Sequence, residues 1–322
     1  MTEATQVIDG SATNINVRRL QQASFNLSSK PRTLWGDAWR RFRKHKVAML
    51  GAVVLTIFIV ASIIGPIVYK VDPEGLDALN ILVGPLTPGH LLGTDEVGRD
   101  MLARAFFGGR ISIAVGIVAM IIAVSLGSVV GALAGFFSGK VDQVLMRITD
   151  LFISLPQLPL LLLTVYLFRE PVTKALGQEK GIFTIVVVMI GALAWMTTAR
   201  IVRAQFLSLK QKEFVEAATG LGVRRRSIMF RHILPNALSP IIVAATLEVG
   251  NAIITESTLS FLGVGFPPDT PTWGRLVTDG SQFLQTSPWF ALVPGILIFL
   301  TVLSINFMGD GLRDALDPRQ RQ

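Results

Sequence analysis

The hydrophobic positions of this chain fall into long runs that polar segments separate. A helix needs roughly 20 apolar residues to cross about 30 Å of hydrocarbon, and six segments match or approach that length: 47–69, 111–137, 149–168, 182–198, 238–257 and 289–308. Pro156 and Pro159 interrupt the third run, and the fourth is short. Prolines are tolerated in such helices where neighbouring helices or water satisfy the freed carbonyls. The pattern predicts an all-α membrane protein with six transmembrane helices.

The polar segments divide the chain into five regions. Residues 1–30 are rich in Thr, Ser, Asn and Gln, which predicts a disordered cytoplasmic tail. Residues 31–70 hold an amphipathic interfacial helix, WGDAWRRFRKH, followed by the first span. An extracytoplasmic loop at 71–110 and a five-helix core at 111–308 come next. Residues 309–322 form a second cytoplasmic tail.

Charge fixes the predicted orientation. The chain has 30 Lys and Arg and 22 Asp and Glu. With the amino terminus inside, 22 of the 30 cations face the cytoplasm, as the positive-inside rule requires. Both termini are then cytoplasmic, and an even number of spans is needed. The chain lacks cysteine, which excludes disulfides, thiolate nucleophiles and Cys-ligated zinc. No nucleic-acid-binding motif accompanies the net charge of +8, so we expect a lipid bilayer and no nucleic acid as the partner of these cations.

The most patterned polar segment is the inner loop, residues 200–237. It carries eight Lys or Arg against two acids, Glu213 and Glu216. Basic loops next to membrane helices usually serve only to fix orientation or to contact anionic lipid. Here apolar residues recur at helical spacing on both sides of Gly220 and Gly222. This spacing predicts two short helices joined by a glycine turn, a shape suited to docking into another protein.

The residue order in the inner loop resembles a known motif. Glu216-Ala217-Ala218, Gly222 and Ile233-Leu234-Pro235 are similar to the EAA loop of binding-protein-dependent ABC importer permeases. The strings HLLGTDEVGRD at 90–100 and ESTLSFLGVG at 256–265 resemble segments of the C-type subunit of dipeptide, oligopeptide and nickel permeases. The resemblance runs from about residue 35 to residue 319. It implies a type I ABC importer permease core with a cytoplasmic coupling helix.

The resemblance also implies a function and a set of partners. The chain would be one half of the translocation path of an ATP-driven importer in the bacterial cytoplasmic (inner) membrane. Its partners would be a homologous B-type permease subunit, two ABC ATPase subunits and an extracytoplasmic substrate-binding protein. Di- or oligopeptides are the expected cargo, with nickel chelates, glutathione or other small solutes as the alternative. The residues that would make or shape the contact with the ATPase are Glu213, Glu216, Ala217, Ala218, Gly222, Ile233, Leu234 and Pro235.

No cofactor or metal is expected on this chain. The segment at 135–141 has the wrong spacing for a Walker A motif and lacks its Ser or Thr. His45, His90 and His232 lie far apart in the sequence. We therefore expect ATP and magnesium on the partner ATPase subunits and no catalytic residue here. A secondary transporter would carry ionisable residues at the membrane midplane and broken helices, but it gives the patterned inner loop no role.

Two acids in the fifth span are candidate pathway residues. Glu248 and Glu256 lie in an otherwise apolar run, and a carboxylate inside a membrane usually faces an aqueous path or a polar partner. A carboxylate that is hydrogen-bonded between helices is the alternative for Glu248.

Three glycines in the second span are candidates for helix packing. Gly127, Gly131 and Gly135 recur every four residues, which leaves one helix face without side chains and favours close contact with another helix. That helix could belong to this chain or to a partner subunit.

The outer loop contains a cluster of charges. Asp95, Glu96 and Asp100 could suggest a divalent-metal site, but their spacing does not follow the EF-hand pattern, and Arg99 opposes a cation. A turn held by Asp–Arg pairs is the preferred interpretation.

Overall fold

A computed structural model describes residues 34–316, and all regular elements in that range are helical. The first five helices are α1 (Leu34–Lys44), α2 (Lys46–Val68), α3 (Met101–Phe137), α4 (Gly139–Ser154) and α5 (Gln157–Leu176). They are followed by α6 (Gln178–Ala192), α7 (Trp195–Lys210), α8 (Glu213–Gly220) and the single turn α9 (Arg225–Ser227). A π-helical turn, Ile228–Ile233, leads into α10 (Leu234–Phe261), and α11 (Trp273–Ser281) and α12 (Trp289–Leu316) complete the fold.

Five segments of the described chain are long and apolar enough to cross a membrane. They are Lys46–Val68, Met101–Phe137, Gln178–Lys210, Arg225–Phe261 and Trp289–Leu316. The helices α4 and α5 supply a sixth span only if they are counted together, because they meet at an angle of 88°. The bend falls at Leu155 and Pro156, where the sequence predicts an interrupted span. The all-helical membrane fold is therefore confirmed, with a sharply broken third span.

Several predicted boundaries need correction. The helix α3 begins at Met101, so residues 101–110 are helical and do not belong to the outer loop. The Asp100 side chain accepts a hydrogen bond from the Ala103 backbone N–H and thereby caps this helix. The last helix continues to Leu316, so residues 309–316 are helical and continuous with the final span. The predicted tail at 1–30 and residues 317–322 lie outside the described residues.

The helix α3 occupies the centre of the bundle. It contacts α2, α6, α7 and α10, and its Val115 and Ala119 share one buried apolar cluster with side chains of α5, α6 and α10. The helix α10 packs in turn on α12. The short helix α1 also packs on α12, through Ala38 and Phe42 against Ala315. Phe42 is thus buried against the protein, although the amphipathic pattern predicts a helix that lies at the membrane interface.

The outer loop is held by the acid–arginine turn that the sequence predicts. The Arg99 Nε donates to Asp95 Oδ2 at 2.6 Å, and Asp95 Oδ1 accepts from the Arg99 backbone N–H at 2.8 Å. Arg104, buried at the start of α3, lies 3.6 Å from Asp95 and 3.9 Å from Asp279 of α11. These charges join the outer loop to two helices of the core.

Candidate functional site

The inner loop is carried by α7, which packs closely against α3. A Cβ atom at Gly127 would lie 2.6 Å from the Trp195 carbonyl oxygen, and one at Gly135 would lie 2.8 Å from the Arg203 carbonyl oxygen. Gly131 faces the Ala199 carbonyl oxygen between them. The three glycines thus lie along one line of contact, and the helix they meet belongs to this chain.

Charged contacts add to this packing on the inner side. Arg203 of α7 makes a two-pronged ion pair with Asp142 of α4, in which Nη2 lies 2.7 Å from Oδ2. The Arg200 Nη2 lies 2.6 Å from Asp150 Oδ1, and the Lys210 Nζ donates to the Phe136 carbonyl at 2.8 Å. Sequence reasoning counted these cations for orientation and for the charge of the inner loop, and it paired none of them with an acid. The spacing of eight residues between Asp142 and Asp150 is the signal that could have paired them with α7.

The inner loop forms a helix, a glycine turn and a second helix, as the spacing predicts. The helix α8 ends at Gly220, and Gly222 in the following turn has φ +76°. That left-handed conformation suits glycine. The Val223 N–H donates to the Ala218 carbonyl and closes the turn. The chain then enters α9, the π-helical turn and α10 without a further break.

The inner loop has a buried and an exposed face. Val215, Ala218, Ile228, Met229 and Ile233 are buried together against α7. On the other side Phe214 is 42% exposed and Leu221 is 84% exposed, and the exposed cations Arg224, Arg225 and Arg226 follow in the next segment of the chain. The exposed face of the inner loop therefore combines large apolar side chains with positive charge.

The two faces separate the predicted coupling residues into two groups. Glu213, Glu216, Ala217, Gly222 and Pro235 are exposed and are accessible to another protein. Ala218 and Ile233 are buried, and Leu234 packs against the same cluster. Ala218, Ile233 and Leu234 can therefore shape the loop but cannot form its outward contact surface. Their side chains already fill the space between the loop and α7.

Glu256, one of the two candidate pathway residues, lies inside the core of this chain. Its side chain is fully buried. It accepts hydrogen bonds from the hydroxyls of Ser260 at 2.8 Å, Thr272 at 2.9 Å and Ser112 at 3.4 Å. These donors come from α3, α10 and the start of α11, so Glu256 joins three segments of the core.

Glu248 has a different environment. It is half-buried and lines a cavity of about 470 Å³ between α4, α5, α7 and α10. Asn251, one turn further along α10, is its polar neighbour and lines the same cavity. The other polar residues around this cavity are Gln157, Thr197, Arg200 and Thr255.

The outer loop holds a titratable group close to α3. The His90 Nδ1 lies 2.9 Å from Asp100 Oδ2, and its Nε2 lies 3.4 Å from Asp77 Oδ2. The hydrogen bond with Asp100 raises the pKa of His90, and the contact with Asp77 acts in the same direction. A charged His90 therefore links the outer loop to the residue that caps α3.

Residues 127–322 match the family described as "Binding-protein-dependent transport system inner membrane component". The chain belongs to this family. Residues 33–85 also match the "N-terminal TM domain of oligopeptide transport permease C". The chain is therefore a multi-pass permease subunit of a bacterial ABC importer.

Curated relatives cover nearly the whole permease. The oligopeptide transport system permease protein OppC of Haemophilus influenzae is 43% identical over 90% of each chain. The OppC protein of Bacillus subtilis is 38% identical over 92% of this chain and 93% of that relative. The glutathione transport system permease protein GsiD of Pectobacterium atrosepticum is 36% identical over 89% of this chain and 92% of the relative.

A solved structure shares the fold. In an inward-facing form of the MetNI methionine ABC transporter, one chain superposes with a TM-score of 0.54. The match covers 67% of the permease and 98% of that chain, at 19% sequence identity. The type I ABC importer permease fold is thereby confirmed.

Proposed function

We propose that the permease imports di- or oligopeptides that an extracytoplasmic binding protein delivers. It forms one half of the translocation path, and a homologous B-type subunit forms the other. Two ATPase subunits, which carry ATP and magnesium, engage the inner loop from the cytoplasm. The complex lies in the bacterial cytoplasmic membrane with both termini of the permease inside. ATP-driven closure of the ATPases moves the two inner loops, and the helix bundles transmit that motion to the outer side.

The exposed face of the inner loop is the observation that carries this proposal. Phe214 and Leu221 are large apolar side chains held in the open by a helix whose other face is anchored in the core. Ala217, also exposed, lies between them and lets another backbone approach closely. An aromatic anchor beside small residues and positive charge is typical of a docking surface.

Ala217→Asp tests the coupling role. Ala217 is exposed, so an aspartate there leaves the fold intact but places an unpaired charge in the proposed contact, and truncating or charging such a centre costs about 2 kcal/mol or more. We expect the variant to reach the membrane and to lose binding-protein-stimulated ATP hydrolysis and peptide uptake by at least about tenfold. Ala217→Ser is the control of similar size without charge. Normal uptake by Ala217→Asp would contradict the coupling role.

The orientation can be tested with single cysteines, because the chain has none of its own. Leu79 in the outer loop is 94% exposed, and Leu221 in the inner loop is 84% exposed. In intact cells a membrane-impermeant maleimide should label Leu79→Cys at once and Leu221→Cys only after permeabilisation. The reverse pattern would overturn the proposed topology.

The names of the relatives support peptide cargo, and the GsiD relative makes glutathione the second candidate. Competition for the purified partner binding protein separates these cargoes. We expect di- and tripeptides to displace a labelled peptide at lower concentrations than glutathione or a nickel chelate. Preferential displacement by glutathione or the chelate would reassign the cargo and leave the coupling role intact.

A further inference from the structure

The cavity beside Glu248 lies next to the middle of a helix that is long and apolar enough to cross a membrane. Glu248 is near the centre of α10, which has 28 residues. At 1.5 Å per residue, about 20 Å of helix lies on either side of it. The cavity volume of about 470 Å³ falls within the range of small-molecule sites.

Glu248 lacks a cationic partner within the part of the chain that the structure describes. Arg200 borders the same cavity, but its guanidinium is 2.6 Å from Asp150, and the two form an ion pair. Asn251 gives Glu248 a polar neighbour but no positive charge. A carboxylate at this depth without a cation is costly, and such residues usually mark the path of a solute.

The contrast with Glu256 strengthens this point. Glu256 lies eight residues further along the same helix and is fully buried, with three hydroxyl donors around it. At 100° per residue the two side chains point about 80° apart. The helix therefore presents one satisfied carboxylate to the protein core and one carboxylate, without a cationic partner, to a cavity.

We infer that Glu248 forms a cargo subsite that binds the positively charged amino terminus of a peptide as it passes the membrane midplane. The inference rests on the proposed peptide import and adds the chemistry of recognition inside the membrane. Asn251 and Thr255 extend the polar face of α10 on the outer side of Glu248, where they line the same cavity. Apolar residues on α4 to α6 form the opposite walls, among them Phe152, Leu160 and Ile190. Such a wall accepts varied side chains while the charge fixes the backbone end.

The test uses the reconstituted importer with its binding protein and trialanine as the probe. Glu248→Gln keeps the size of the side chain and removes its charge. We expect trialanine uptake per ATP hydrolysed to fall about tenfold or more, as for the loss of one hydrogen bond between charged groups. ATP hydrolysis stimulated by the loaded binding protein should remain, because the coupling surface is untouched. Glu74→Gln, the same change at an exposed outer-loop carboxylate, is the matched control and should behave as wild type.

A charge-restoration experiment separates recognition from structure. Glu248→Cys introduces a single thiol into a chain that has none, and the unmodified chain with the same partners controls for partner thiols. The solubilised complex is modified before reconstitution with a methanethiosulfonate that carries either a sulfonate or a trimethylammonium group. We expect the sulfonate to restore uptake per ATP and the ammonium group to leave it low.

The outcomes distinguish the subsite from the proposed function. Wild-type uptake ratios in Glu248→Gln, or equal restoration by both reagents, would overturn the subsite while peptide import stands. The first of these results would show that uptake does not need the charge of Glu248. Absence of trialanine uptake in the wild-type complex would remove the peptide assignment and the subsite with it.

Discussion

The contact between α3 and α7 makes a sharp prediction about stability. A Cβ atom at Gly127 would lie 2.6 Å from the Trp195 carbonyl oxygen and 2.7 Å from the Thr198 Cβ, whereas ordinary contacts begin at 3.4 Å. Gly127→Ala must therefore move the helices apart by about 0.8 Å at this point. The Trp195 carbonyl oxygen belongs to the backbone of α7, so it cannot rotate away from the new methyl group as a side chain can. Overpacking of this kind costs about 1–3 kcal/mol.

The measurement is unfolding of the purified permease by SDS in mixed micelles, followed by tryptophan fluorescence. The chain has five tryptophans, so the fluorescence reports unfolding of the whole protein. Gly295→Ala on α12 is the matched control, because a Cβ atom there meets nothing within 4 Å. We expect Gly127→Ala to lose about 1–3 kcal/mol and Gly295→Ala to lose nothing. Equal stability of the two variants would refute the reasoning.

A second substitution in the same seam tests the cause. A Cβ atom at Gly135 would meet the Phe206 Cβ at 2.6 Å. Once the first alanine has separated the helices, the second methyl group meets less resistance. The double variant Gly127→Ala/Gly135→Ala should therefore lose less than the sum of the single losses. Full additivity would indicate that each glycine acts locally and that the two helices do not shift as one.

Three further predictions concern charged groups. The hydrogen bond to Asp100 raises the pKa of His90 in the folded protein. Protonated His90 therefore stabilises the outer loop fully below about pH 6.5, the pKa of a free histidine. This stabilisation is lost as the pH rises through the folded-state pKa. Hydrogen exchange of the loop should accelerate over that rise, and His90→Gln should flatten the profile. Glu256→Ala leaves three hydroxyl donors without their acceptor and should cost about 1–3 kcal/mol in the same unfolding assay, with a smaller loss for Glu256→Gln. A double-mutant cycle on Asp142 and Arg203 should give a coupling of about 1 kcal/mol, and a value of zero would show that the ion pair does not fasten α4 to α7.

Hydropathy found the membrane helices but misplaced their ends for one reason. Residues 101–110 contain Arg104, and residues 199–210 contain Arg200 and Arg203. A span predicted from a run of apolar residues therefore leaves these two segments out. In the folded chain these arginines pair with acids of other segments, and the helices continue through them. The angle between α4 and α5 at Pro156 depends on the helices against which each of them packs. The local sequence does not predict those packing partners.

The candidate site shows the same division. The helix–turn–helix form of the inner loop follows from apolar spacing and glycine positions, which are local properties. Whether Ile233 faces outward or inward depends on α7 and cannot be read from a motif. The two acids of α10 are likewise equivalent by composition. Only the placement of Ser112 and Thr272 beside one of them distinguishes a core residue from a cavity residue.

The helix α3 has a mechanical consequence for the whole subunit. Its 37 residues span about 55 Å, and unlike α2, α5, α10 and α12 it contains no proline. Side-chain contacts join it to the rest of the protein near both ends, through Asp100 and Arg104 at one end and through Arg203 at the other. Sharp kinks in helices usually occur at proline, so no such hinge divides α3. A displacement of the end beside the inner loop is therefore passed along one continuous helix to the elements that pack around Arg104.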